Sequence, residues 1–262
     1  MKFLARIIKS FIIAFSMYSR IPMPRVEWKE EDMKFVFVFF PFVGAVIGAL
    51  FFAWNFLCFK FSIPEICRVC VAIALPLIIT GGIHADGFMD TMDAINSYRD
   101  REKKLEILKD PHIGAFSVIM LLIYVLSVAA SLSVINDKEI CLVLSFSFVI
   151  ARILSGYSAI TFKNAKEGTL NHFSKNAGKI TVLVFLIIEM TACVVLMFFI
   201  NILYSAVILI FALLTLLFYY FKTKKEFGGI TGDTAGCFVL LCEGAACVGV
   251  AVTSHILNVI IV

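Results

Sequence analysis

The sequence predicts an all-α fold: a polytopic integral membrane bundle of about seven transmembrane helices, plus an amphipathic amino-terminal helix at the interface. Three observations predict it. Of 262 residues, 61% are hydrophobic and only 16% charged, with a mean hydropathy of +0.98; a soluble domain carries about 25% charge. The apolar residues form continuous runs of spanning length, about 20 residues, where a membrane β-barrel would alternate. The basic residues are crowded into alternate connecting segments, as in a chain threaded through a bilayer.

The elements follow in order. Near the amino terminus, Lys2, Arg6 and Lys9 share one helical face, and Phe3, Leu4, Ile7, Ile8 and Phe11 share the other. This is the pattern of a helix lying on a membrane surface, ended by Pro22 and Pro24. No small-residue cleavage site follows, so the segment is expected to stay rather than act as a signal peptide. Spans are expected at Phe35–Phe59, Ile66–Ile83, Ile113–Ile135, Ile140–Phe162, Ile180–Ile200, Leu203–Phe221 and Gly236–Val262. The link at Asn201 reads as a loop or a kink. One integral membrane domain is expected over residues 1–262.

Alternate segments fall on alternate sides. Residues 1–34, 84–112, 163–179 and 222–235 hold 19 of the 23 Lys and Arg residues. The positive-inside rule then makes these segments cytoplasmic, including an acidic motif loop over residues 84–112. The eight cysteines lie mostly in apolar runs and read as small hydrophobes. Cys67 and Cys70 form a CxxC, but no second pair or nearby histidine completes a zinc set.

The chemistry is concentrated in GGIHADGFMDTMDA, residues 81–94. Asp86, Asp90 and Asp93 are spaced i, i+4, i+7, which stacks them on one helical face. Three such carboxylates need a counter-charge or a shared proton. Mg²⁺ suits them, since it binds through one or two carboxylates plus substrate phosphates. A solvated acidic face is the plainer reading. The closeness of an apolar span, where carboxylates are costly, favours function. His84 reads as a base or as an interfacial polar residue. A short echo, GGITGD at residues 228–233, suggests a shared task at a loop, such as backbone approach to phosphate.

Other polar residues collect on the same side: Arg20, Asp110, His112, Lys163, Lys166, Glu167 and Asp233, with Glu243 in the last span. Apart from Arg68 near a span end, Arg152 is the one base inside a span. It reads equally as a phosphate contact or as the structural partner of an acid. Glu189, in the middle of its span, reads as a helix-pairing residue.

Taken together, these stretches resemble the cobalamin synthase family of membrane enzymes. SRIPMP (19–24), FPFVGAVIG (40–48), the acidic block, LEILKDPHIGAF (105–116), AKEGTL (165–170) and GGITGDTAGCFVLLCE (228–243) are similar to the family's blocks in order and spacing. Ala94, Pro111, His112 and Leu240 depart from the usual pattern. The resemblance implies transfer of a phospho-alcohol group. Adenosylcobinamide-GDP and α-ribazole, or its 5′-phosphate, would join with release of GMP, with Mg²⁺ as cofactor, in an inner membrane. It implies catalytic roles for His84, Asp86, Asp90 and Asp93, with the three aspartates on metal. Asp110, Arg152, Asp233 and Glu243 would make further metal or substrate contacts. Lipid is an expected partner, a homo-oligomer is allowed, and no nucleic acid is expected. Two rival readings remain: a cation-coupled transporter, and an enzyme like the CDP-alcohol phosphotransferases.

Overall fold

In the computed structural model, which describes residues 2–165 and 168–261, the described residues form helices and no strand. Helix α1 (Lys2–Tyr18) leads through a 3-10 turn (Glu30–Met33) into α2 (Val36–Phe61) and α3 (Glu65–Thr80). Helices α4 (Ile83–Asn96) and α5 (Arg101–Ile107) follow, then α6 (Ala115–Val134), α7 (Lys138–Ser145) and α8 (Ser147–Thr161). The chain ends with α9 (Thr169–Asn176), α10 (Lys179–Ile200), α11 (Ile202–Glu226) and α12 (Gly232–Ile261). Six helical units are long and apolar enough to cross a membrane, with α7 and α8 counted as one.

The remaining expected span, Ile66–Ile83, is a broken one. Helix α3 is 16 residues long and meets α4 at 95°. The break lies at Gly81 and Gly82, whose φ angles are +65° and +81°. Two successive left-handed residues are cheap only for glycine. Gly82 N–H donates to Leu77 O at 2.9 Å, which closes the helix end as a C-cap does. The expected acidic loop over residues 84–112 is therefore mostly helix, α4 and α5, because the double glycine starts a new helix where the apolar run ends. Asn201 is a true break: it is extended, and its side chain caps α11 by accepting from Tyr204 N–H.

Helices α2, α8 and α12 are the buried centre, whereas α6 and α10 turn most of their side chains outward. That outer apolar surface suits lipid. Close approach of α2 to α7 and α8 runs through Gly44 and Gly48, a GxxxG spacing. A Cβ on Gly44 would lie 2.4 Å from Phe148 O, and one on Gly48 would lie 2.4 Å from Ser145 O. At the far end of the bundle, buried Arg68 ties three elements. Its guanidinium donates to Asn55 Oδ1 (3.1 Å), Leu132 O (2.9 Å) and Asn136 Oδ1 (3.2 Å). Cys67 and Cys70 are exposed near this end, and the other six cysteines are buried.

Helix α1 differs from a simple surface helix. Its bases meet acids of the 3-10 turn: Arg6 pairs with Glu31, and Lys9 Nζ lies 3.1 Å from Asp32 Oδ2. Ile13, Ala14 and Phe15 are buried, while Leu4 and Ile8 stay exposed. The polar face is thus satisfied within the protein, and the apolar edge is left outward.

Candidate active site

The ends of α1, α4, α8 and α12 surround one cleft of about 480 Å³. Local sequence explains how each wall is placed. The double glycine at 81–82 starts α4, which brings His84 and Asp86 to the cleft. At the other wall, Thr231 and Thr234 make a reciprocal capping pair. Thr231 N–H donates to Thr234 Oγ1 (2.8 Å), and Thr234 N–H donates to Thr231 Oγ1 (3.2 Å). This fixes the start of α12, where Asp233 sits in the first turn, and an acid there complements the helix dipole. The loop before α12 is pinned by Ile230, whose N–H donates to Lys163 O (2.8 Å) and whose carbonyl accepts from Ala165 N–H (2.9 Å).

The two GGIxxD stretches, distant in sequence, therefore meet across one cleft. A Cβ on Gly87 would lie 2.6 Å from Asp233 O, so α4 and α12 touch backbone to backbone there. The glycine pairs themselves do not line the cleft. Arg20 packs over Gly81, Arg101 over Gly228, and the Lys163 carbonyl against Gly229. Their expected task, offering backbone to phosphate, is replaced by shaping the chain.

His84 is 5% exposed, and its Nε2 is buried with no hydrogen-bond partner among the described residues. Leaving such a group unsatisfied costs about 1–3 kcal/mol, which marks it for an incoming polar atom. Asp86 is exposed at the cleft, and Asp233 accepts from Thr231 Oγ1 at 3.4 Å.

The other expected site residues lie elsewhere. Asp90 is half-buried, engaged in an interaction of its own, and off the cleft lining. Asp93 caps α6. Its Oδ2 accepts from Gly114 N–H and its Oδ1 from Ser117 N–H, both at 2.8 Å. Asp110 is exposed beside His112, whose backbone N–H (3.0 Å) and imidazole Nδ1 (2.6 Å) meet its Oδ1. Those contacts, the backbone one first, hold its carboxyl below the usual range. Arg152 and Glu243 are buried together below the cleft at 2.6 Å, and Arg152 also donates to Phe148 O. Arg152 is thus the structural partner of an acid. Glu189 is half-buried on α10, with Oε2 unpartnered among the described residues. Lys166 and Glu167 lie outside the described residues.

The single three-aspartate metal face expected from spacing is not what the fold assembles. Among the described residues, no group of three or more His, Cys, Asp or Glu side chains is disposed to hold a metal ion. What the cleft offers is two carboxylates from different helices, Asp86 and Asp233. That set still fits Mg²⁺, which takes one or two carboxylates and completes its shell with substrate phosphates and water. Sequence reasoning missed Lys109, Asn164, Asn171 and Thr231, which also line the cleft. Their closeness to the blocks at 105–116, 165–170 and 228–243 was the available signal.

The family profile described as Cobalamin-5-phosphate synthase matches residues 10–251. The chain belongs to that family. It is 38% identical over 251 residues to an adenosylcobinamide-GDP ribazoletransferase of Lachnoclostridium phytofermentans, covering 95% of this chain and 96% of the relative. A protein of the same name from Clostridium perfringens is 35% identical, with 90% and 94% covered. Another, from Clostridioides difficile, is 33% identical with the same coverage. No solved structure matches.

Proposed function

We propose that this cobalamin synthase family member joins adenosylcobinamide-GDP to α-ribazole or its 5′-phosphate and releases GMP. The observation that carries the reading is the meeting of His84, Asp86 and Asp233 at one cleft, in a chain similar to ribazoletransferases over most of its length. A ribose hydroxyl of the acceptor attacks the phosphorus that bears the cobinamide arm. The bond from that phosphorus to the oxygen bridging it to GMP breaks, and GMP departs with those electrons. His84 Nε2 takes the hydroxyl proton, a role that its missing partner favours. Lys109 and the start of α12 offset the charge on the phosphates.

Asp86 and Asp233 are the residues to hold Mg²⁺, which would neutralise diphosphate charge when bound. The protein acts as one integral membrane domain in the inner membrane, with the cleft on the cytoplasmic side. The crowding of bases into the segments at that end supports this orientation.

The test is GMP release by the purified full chain in detergent, given both substrates over a magnesium titration. Turnover that needs added Mg²⁺ and falls at least about a hundredfold in His84→Ala is expected, within the usual range for a general base. Wild-type protein that releases no GMP would sink the reaction. Turnover unaffected by chelation would sink the metal.

A further inference from the structure

The cleft lining is of two kinds: His84, Asp86, Asp233 and Lys109 are polar, while Tyr18, Phe37, Phe40 and Val239 are apolar or aromatic. We propose that the aromatic pair in this lining, Tyr18 backed by Phe40, is the subsite for the aromatic base of the acceptor nucleoside. The corrinoid body of the donor stays outside the cleft. This inference rests on the reaction proposed above and adds which substrate enters and what receives it.

Size is the first argument. A cleft of about 480 Å³ lies in the range of roughly 300–1,000 Å³ that encloses one drug-sized molecule. A benzimidazole nucleoside is of that size. A corrin carrying a nucleotide arm is far larger, so only its diphosphate can reach in.

Ring geometry is the second. Tyr18 and Phe40 have ring centroids 4.1 Å apart, tilted by 37°. Phe40 is itself held in place: its ring centroid lies 5.9 Å from the His84 ring and 5.9 Å from the Arg152 guanidinium. Tyr18 is thus a half-buried aromatic on a fixed backing, suited to stacking a planar heterocycle. Its hydroxyl makes no hydrogen bond among the described residues. It can donate to the unsubstituted ring nitrogen of a benzimidazole. An apolar ligand alone would give that hydroxyl nothing to bond.

Continuity is the third. The path from Tyr18 through Phe40 to His84 is a chain of ring contacts. A base seated on Tyr18 directs its ribose toward His84, where the attacking hydroxyl has to be.

The test uses the purified full chain, with GMP release measured while each substrate is varied against saturation of the other. Tyr18→Leu should raise the KM for α-ribazole about tenfold, the scale of one lost aromatic stack with its buried area. The KM for adenosylcobinamide-GDP should stay within about twofold, below the ~1.4 kcal/mol that a tenfold change represents. Tyr18→Phe should show a smaller rise for α-ribazole alone. α-Ribazole without donor should raise the thermal unfolding temperature of wild type, and less so that of Tyr18→Phe. If the leucine variant does not fold, Tyr18→Phe and this thermal shift decide. A KM change confined to adenosylcobinamide-GDP, or an unchanged KM for α-ribazole in folded variants, overturns the subsite. Either result leaves the reaction standing, because wild-type turnover would still be present. Absent wild-type turnover defeats the reaction itself.

Discussion

Asp93 is expected to hold the scaffold together rather than to bind metal. Both its oxygens accept backbone N–H groups at the start of α6, from Gly114 and Ser117 at 2.8 Å. Hydrogen bonds to an ionised group are worth about 1.5–3 kcal/mol each. Asp93 is half-buried, so the lower end applies and Asp93→Ala should cost about 3 kcal/mol. That exceeds the roughly 0.5–2 kcal/mol of an ordinary cap, because this carboxylate also ties α4 to α6. Asp93→Asn keeps one acceptor and turns an amide toward the other N–H. It should lose about half as much. The assay is thermal unfolding in detergent with chelator present, paired with a magnesium titration of GMP release. Both variants should unfold earlier without any metal, alanine more than asparagine, and their half-saturating magnesium concentration should match wild type. Metal-free stability equal to wild type, together with a raised magnesium requirement, would refute the argument and return Asp93 to the metal.

Two further predictions concern the buried centre. Gly48→Ala should destabilise by about 1–3 kcal/mol, the cost of overpacking, because its Cβ would meet Ser145 O at 2.4 Å; an unfolding temperature unchanged from wild type would mean that α2 and α7 can part freely. Arg152→Leu should cost about 3–5 kcal/mol by stranding Glu243 as a buried, unpaired charge. Adding Glu243→Leu should recover most of that loss, and a double variant no more stable than the single would show that Glu243 is satisfied by something other than Arg152.

The spans were legible because lipid demands long apolar runs. The break at Gly81–Gly82 was harder to see, since the apolar run reaches Thr80 and only the paired left-handed glycines turn the chain. The acidic block was legible as the chemical centre, yet its spacing misled. Residues at i, i+4, i+7 share a helical face, but they can share a ligand only while nothing else claims their side chains. Here the incoming amino terminus of α6 claims Asp93, and α12, far along the chain, supplies Asp233 to the cleft. Arg152 shows the same limit. Its charge in a span called for an acid, but Glu243 lies 91 residues away and only the packing of α8 on α12 selects it. The echo of GGIxxD carried more than its length suggested. Both copies bend or pin the chain just before a helix start, and each thereby delivers an aspartate to the same cleft from a different helix. A carboxylate pair built in this way depends on α4 and α12 keeping their backbone contact at Gly87. Any side chain at that position would press on the Asp233 backbone and so push Asp86 and Asp233 apart.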